Sequence, residues 1–481
     1  VVGRRLSIAY VSAQLPSYLA SEHEVVLRSL AALRALAAEL DVDLVDDLPV
    51  VTDRRDAERA ADAAAAAGAD LVLLQCSTFA MGDVVLPFVD RPFRLGLWAA
   101  DEPVRSGPIP LNAFVAMHLH AGVVRALGPA PRARAKWFVG LGDHPWFAPR
   151  LRATVAALRG VHAVSGARIG LVGGVAPTFF NVASDAGALR ARFGVEVVDH
   201  EVREVVAAAR AQPPAEVDAL VAELRAAARG RVEVDAGDLR GSAAVALALR
   251  GLAARAGYRA LAVSDWPVFQ AELGLHPGMA FSWLDEADGL PIASEGDVLG
   301  ALSMLLARGL SGAGAMLLDM NDVDLDADAL LMWHCGGSPL NFADGEGVRW
   351  TNHTTLGRKT PGARPRGAVA DLRFRHGPAT VLRLGRDGRE LFAVDAEVVA
   401  HPTAGFDGSR GWLSGFRDPD GPRTVGDVVA TVVGGGVEHH FALAEGHVAG
   451  PAREAAAWLG VGLTPWIPYR DHLEPGGGVE R

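Results

Sequence analysis

The segment that most constrains this chain is LPIASEGDVLGALSMLLARGLSGAGAMLLDMNDVD, residues 290–324. A short apolar run closes at Glu295, a helical stretch follows from about Asp297 to Arg308, and a second apolar run closes at Asp319. That is the grammar of a βαβ unit. In open α/β sheets ligands collect at the carboxyl ends of the strands. Two carboxylates at adjacent strand ends repel one another unless protons or a metal occupy the gap between them. A divalent metal acting on an oxygen-rich substrate is the expectation this segment sets.

The chain around it has 481 residues, more than one hydrophobic core usually serves, so two or three domains are expected. Residues 1–160 alternate short apolar runs (Leu6–Val11, Val42–Val45, Asp70–Gln75, Phe93–Leu97) with Ala- and Leu-rich helical stretches. This is the pattern of a flavodoxin-like, Rossmann-like α/β domain. Its first strand runs into SAQLP where a dinucleotide site would carry GxGxxG, so no dinucleotide is assigned. A second α/β domain is expected over 161–345, carrying Glu295 and Asp319. Its strand ends fall at Gly174 with Pro177, Asp265 with Trp266, Glu295 with Asp297, and Asp319 with Asn321. Together these would form the rim of a site on one sheet edge. From 346 to 481 the texture changes to short β-prone runs, AVADLRF, ATVLRL, ELFAV and EVVA, parted by Gly, Asp and Arg. A β-rich third domain follows from that. The fold class expected is α/β, two Rossmann-like parallel-sheet domains followed by a β-rich C-terminal domain.

Net charge is −11 with acids and bases interspersed, and no basic stripe or aromatic ladder stands out. A nucleic-acid partner is not expected. The short cluster RARAK, Arg132–Lys136, reads as a solvated helix end. Two cysteines, Cys76 and Cys335, are too few for a disulfide scaffold or a thiolate zinc site and fit a reducing compartment. The opening VVGRRLSIAYVSAQLP has too short an apolar stretch for a signal peptide, and no segment approaches a membrane span. A cytoplasmic protein without a membrane partner is expected.

A metal needs further ligands, and GGGVEHHFALAEGHVAG offers Glu438, His439, His440 and His447. Carboxylate and imidazole ligands together suit Mn²⁺, Mg²⁺ or Co²⁺ better than Zn²⁺. In MWHCGGSPLNF, His334 either touches a ligand or satisfies a buried carbonyl, and Cys335 lacks the partners of a nucleophilic thiol. QCSTFAMGD and WAADEPVRSGPIPLNAFVAMHLH supply Asp101, Glu102, Arg105, Asn112 and His118 on loops of the first domain. These loops line a cleft or form interdomain or subunit contacts.

These residues resemble the L-fucose and L-arabinose isomerase group of metal-dependent aldose–ketose isomerases, most closely the fucose-isomerase-like branch. Glu295 in SEGDVLGAL and Asp319 in LLDMND match that group's Glu and Asp ligands with the same separation of 24. His440, followed seven residues later by His447, matches its His ligand. SDWPVFQAELGLHPGMAFSWL, the PLNAF…H stretch, the PTFFN loop at Pro177–Asn181 and the WHCG segment of His334 are also similar. The resemblance spans effectively the whole chain, which is shorter than the fucose isomerases and departs from them in its pocket loops. It implies Mn²⁺ on Glu295, Asp319 and His440, with Mg²⁺ or Co²⁺ as alternatives, and an ene-diol mechanism in which Glu295 and Asp319 relay the proton. It also implies a homo-oligomer, often a hexamer, with a neighbour's first domain closing each site. Trp266, Gln270, His334, Asn352, His353 and Arg410 are the candidates for gripping the sugar, Arg410 for an anionic end; a turn salt bridge is the plainer reading of Arg410. A metal-dependent aldolase or epimerase would use the same chelate, and a non-catalytic sugar-binding protein would use a similar cleft.

Overall fold

The computed structural model describes residues 5–127, 135–142, 144–353 and 366–472. The chain divides after Arg159 into two compact units. In the first, β1 (Ser7–Ala13), β2 (Asp43–Val45), β3 (Leu71–Cys76), β4 (Arg94–Ala99) and β5 (Lys136–Val139) form a parallel sheet in the order β2-β1-β3-β4-β5. That is the flavodoxin-like order. β1 and β3 are buried along their whole length, as unbroken apolar runs in a sheet covered on both faces must be. The helix Arg54–Ala66 buries Ala57, Ala60, Ala61 and Ala64, a stripe at helical spacing whose small side chains let it lie close. Of the RARAK cluster, Arg132 to Arg134 lie outside the described residues.

The second unit opens with another parallel sheet, β6 (Arg168–Val172), β7 (Glu196–His200), β8 (Ala260–Val263) and β9 (Ile292–Ser294), in the order β7-β6-β8-β9. Ten further strands form the third sheet: β10 (Ala315–Asp324), β11 (Ala329–His334), β12 (Arg349–Asn352), β13 (Ala368–Arg373), β14 (Gly377–Gly385), β15 (Glu390–Val399), β16 (Ser409–Asp418), β17 (Gly421–Pro422), β18 (His440–Glu445) and β19 (Gly462–Leu463). Six of them close on themselves. The antiparallel pairings β16-β11-β10-β18-β14-β15 return to β16, which makes a barrel with β12, β13, β17 and β19 at its margins. The fold is thus two Rossmann-like parallel sheets followed by a larger β-rich assembly.

One expectation is overturned. β9, the helix Val298–Ser311 and β10 do not make a βαβ unit, because β10 leaves the parallel sheet and runs antiparallel between β11 and β18. Only four residues separate β10 from β11. So short a link makes β10 and β11 a hairpin, and with β18 on its other edge β10 has no edge left for a parallel partner. The helix Val298–Ser311, buried on nearly every side, packs against β8 and β9 of one sheet and β10, β14 and β18 of the other. That all-round burial matches its all-round apolar sequence. Asp319 therefore approaches Glu295 from the barrel and not from a neighbouring parallel strand.

No described helix is long and apolar enough to cross a membrane.

Candidate metal centre

Glu295 follows the last residue of β9 and has φ 62°, in the left-handed region. For a residue other than glycine this costs about 1–3 kcal/mol, so the surroundings must hold it. They do so through the strand ends of the same sheet. The Glu295 N–H donates to Asp265 Oδ1 at 2.7 Å, and its carbonyl accepts from Ala176 N at 2.9 Å. The next residue, Gly296, also has positive φ, and a Cβ there would lie 2.1 Å from the Gly174 oxygen. Only glycine fits that position. Three of the four strand ends expected on one rim meet here, and the fourth arrives with β10.

His440 opens β18 directly opposite Asp319 of β10. Its ring is buried, and Nδ1 lies 3.0 Å from Asp297 Oδ2. Asp297 caps the helix Val298–Ser311 by accepting from Gly300 N, and it pairs at 2.5 Å with the fully buried Arg383 of β14. Ionised carboxylates only accept, so His440 donates Nδ1–H to Asp297 and its Nε2 faces the other way. There it lies 3.2 Å from Glu295 Oε2 and 3.8 Å from Asp319 Oδ1. These are ion-pair separations without hydrogen-bond geometry: Glu295 Oε2, Asp319 Oδ1 and His440 Nε2 are all buried with no hydrogen-bond partner.

Three orphaned polar atoms, two of them carboxylate oxygens on either side of one imidazole nitrogen, are costly unless a further group joins them. Their donor set, two carboxylate oxygens and an imidazole nitrogen, fits a divalent cation of the Mn²⁺, Mg²⁺ or Co²⁺ kind. His334 adds a second imidazole, since Asp319, His334 and His440 offer atoms within 4.8 Å of one another. The Asp297 carboxylate behind His440 is the outer partner that metal-ligating histidines commonly have.

The surrounding charges hold these groups as an ion-paired cluster, in which a cation would take the place of the His440 Nε2 proton. Burial opposes ionisation of Glu295, but the His439 and His440 rings outweigh it and hold the carboxyl well below its usual range. Burial likewise resists charge on Asp297, and Arg383 and His440 reverse the balance. Burial lowers the His440 pKa while Asp297 and Glu295 raise it, with the net result that it is pushed up to about 10. His334 is held below its ordinary value by burial, against the pull of Asp319. The Cys335 thiol, 3.2 Å from His334 Nδ1, is pushed up by burial and stays protonated.

His439 stands beside the centre, 3.6 Å from Glu295 Oε2 and 2.9 Å from the Asn181 side chain. Its ring lies 5.6 Å from Phe179, which lies 6.3 Å from Trp266. The PTFFN loop and Trp266 thus form an aromatic edge to the centre. A cleft of about 430 Å³ opens from it, with Asp319, Asn321 and His439 on its polar side and Met320, Val433 and Phe441 on its apolar side. That volume is within the range of small-molecule sites, about 300–1,000 Å³.

Other sequence candidates lie elsewhere. Gln270 is buried in the short helix Gln270–Leu273. Asn352, at the end of β12, donates to the Glu233 carbonyl, and the buried His353 ring lies 5.0 Å from His276. Arg410 stands opposite Trp333, one strand beyond β11 from Asp319, and its guanidinium is paired with Asp371, which Arg349 shares. His447 lies 2.9 Å from Glu397 and hydrogen-bonds the Ala396 carbonyl, away from the centre. Sequence reasoning missed Arg383 and the roles of Asp297 and Asp265. Arg383 had a visible signal, a lone charge inside the apolar strand ATVLRLG that needs a buried partner.

No family model matches the chain. The sulfoquinovose isomerase of Alkalicoccus urumqiensis is 27% identical over 395 residues, which is 80% of this chain and 83% of that protein. That of Priestia megaterium is 25% identical over 390 residues, 79% and 81% of the two chains. A third, from a Clostridium species, is 25% identical over 249 residues, 51% and 55%. The chain is a distant homologue of sulfoquinovose isomerases. This likeness is to sugar isomerases and does not single out the fucose-isomerase branch.

Proposed function

We propose that this protein interconverts an aldose and a ketose, that its substrate is an open-chain sugar bearing an anionic group, and that a sulfonated aldohexose is the first to test. The observation that carries the reading is that Glu295 Oε2 and Asp319 Oδ1 flank His440 Nε2, at 3.2 and 3.8 Å, with all three atoms buried and without hydrogen-bond partners. The sulfoquinovose isomerases among its relatives support the substrate class. The motif SEGDVLGAL supports the narrower likeness to fucose isomerases.

Glu295, Asp319 and His440 would hold the cation, with Mn²⁺ the first candidate and Mg²⁺ or Co²⁺ the others. Bound there, it would stabilise negative charge developing on two adjacent sugar oxygens. Aldose–ketose interconversion moves one proton between C2 and C1 and another between their oxygens, through an ene-diol. Glu295 and Asp319 are the carboxylates at hand for that relay. Such acid–base transfer contributes about 10²- to 10⁴-fold. His439 lines the cleft where the rest of the sugar would lie, and the Phe179–Trp266 edge stands behind His439. Buried, unpaired thiols at Cys76 and Cys335 fit a reducing cytoplasmic setting. We also infer a homo-oligomer, by the same likeness.

The test is a substrate panel. Metal-reconstituted protein is incubated with neutral aldohexoses, 6-deoxyaldohexoses, and 6-sulfonated and 6-phosphorylated aldohexoses, and products are identified by NMR. Ketose formation favouring an anionic sugar supports the reading. Carbon–carbon cleavage or inversion at a single carbon would replace it with an aldolase or an epimerase.

A further inference from the structure

Besides the metal centre, the described residues contain one more tight group of ligating side chains, the buried His276, Cys335 and His353. His276 is fully buried, and its Nδ1 accepts the Gly278 N–H at 3.1 Å. An accepting ring nitrogen carries no proton, so the proton of the neutral ring sits on Nε2. Nε2 faces Asp265 Oδ2 at 3.3 Å and the Cys335 sulfur at 3.8 Å. Both ring nitrogens of His276 thus already face partners, which makes this group a supporting cluster of contacts. What it supports lies one residue further on. Asp265, 1% exposed, uses its other oxygen to accept the Glu295 N–H. A continuous line of contacts therefore runs from the Gly278 backbone through His276 and Asp265 to the backbone of Glu295.

We propose that Asp265 is a positioning residue for Glu295 and that His276 orients Asp265. Glu295 has a left-handed backbone without being glycine, and its amide donates to the Asp265 side chain. Asp265 supplies the acceptor that makes this conformation tenable and so keeps Glu295 Oε2 close to His440. In its effect on metal affinity the inference rests on the metal reading above; in its effect on the Glu295 backbone it does not.

The test compares wild type, Asp265→Ala, Asp265→Asn, Glu295→Gln and the Asp265→Ala/Glu295→Gln double variant. Two quantities are read: Mn²⁺ affinity by titration, and hydrogen–deuterium exchange over residues 292–300. In Asp265→Ala the Glu295 amide is expected to lose its protection, exchanging at least about tenfold faster, and Mn²⁺ affinity to fall about 10- to 100-fold. Asp265→Asn keeps an oxygen acceptor for the Glu295 N–H but turns an NH₂ toward His276 Nε2–H, so it should recover both readouts in part. In the Glu295→Gln background, Asp265→Ala should cost little more affinity, since the group it positions is gone. Unchanged Glu295 exchange in Asp265→Ala, or full additivity in the double variant, overturns the proposal. Where Asp265→Ala does not fold, His276→Phe serves: a smaller change of the same sign in both readouts is expected, and wild-type values overturn it. If wild type shows no Mn²⁺ binding sensitive to Glu295→Gln, the metal reading fails separately, and amide exchange alone decides the anchor.

Discussion

Replacing Asp297 by Asn would test the architecture of the centre without touching a proposed ligand. Asp297 makes three contacts at once: it caps the helix Val298–Ser311, pairs with Arg383 and accepts from His440 Nδ1. Asparagine keeps one oxygen, enough for the cap, but presents an NH₂ group to two neighbours that are themselves donors. Arg383, fully buried, loses its near charge partner and keeps only Glu438, 3.8 Å from its Nε. Removing one member of a buried pair typically costs about 3–5 kcal/mol. That is a large part of the roughly 5–15 kcal/mol by which domains are stable. His440 loses the acceptor that keeps its proton on Nδ1, so Nε2 is no longer reserved for a cation. Loss of an outer partner of this kind lowers metal affinity about 10- to 100-fold, equivalent to about 1.4–2.7 kcal/mol. Urea unfolding and Mn²⁺ titration of the folded variant read the two effects apart. Wild-type Mn²⁺ affinity in the folded Asp297→Asn protein would refute the reasoning that Asp297 orients His440.

Three further outcomes are expected. Glu295→Gln and Asp319→Asn should each lower turnover at least about 10²-fold, and Glu295→Gln should also lower the melting temperature, because the His439 and His440 rings favour its ionised carboxylate in the folded state; near-normal turnover in either removes that residue from the proton relay. Burial pushes the His353 pKa down to about 2, aided by the neighbouring His276 and His334 rings. The folded state then holds His353 neutral while the unfolded state protonates it below about 6.5. This group is therefore neutral in its effect above about pH 6.5 and destabilises the fold increasingly as pH falls toward 2, by up to about 1.4 kcal/mol per unit; His353→Gln should flatten that slope in urea unfolding, and an unchanged slope contradicts the assignment. His447→Ala should leave Mn²⁺ affinity unaltered, because His447 is engaged with Glu397 and the Ala396 carbonyl; a tenfold loss would bring it back into the centre.

The parts of this molecule that sequence makes legible are those with local signals. Unbroken apolar runs at Ser7–Ala13 and Leu71–Cys76 announce buried parallel strands, and the alanine stripe of Arg54–Ala66 announces a helix on a sheet. The polar ends at Asp265 and Glu295 announce a strand-end rim. Asp319 was harder. AMLLD reads alike as the end of a parallel strand or the buried half of a hairpin strand, and only the short link through Asp324–Ala329 distinguishes them. What sequence could not supply is partnership across distance. Arg383 is 86 residues from Asp297, and His440 is 143 from it. No periodicity or cap signal encodes such a contact, since it arises when the barrel closes onto the helix that Asp297 begins. The pairing of Arg410 with Asp371 across β16 and β13 is the same kind of fact.

The central claim is that this centre binds a cation and moves a proton between adjacent sugar carbons. The most direct measurement is isomerisation in D₂O of an anionic aldohexose by protein stripped of metal and then restored with Mn²⁺, with NMR following ketose formation and the isotope at C1 and C2. The account predicts no turnover without metal, recovery with Mn²⁺, solvent deuterium entering at the carbon that receives the proton, and none of this in Glu295→Gln. Ketose formed by the metal-free protein, or Mn²⁺-dependent ketose formation undiminished in Glu295→Gln, would contradict it.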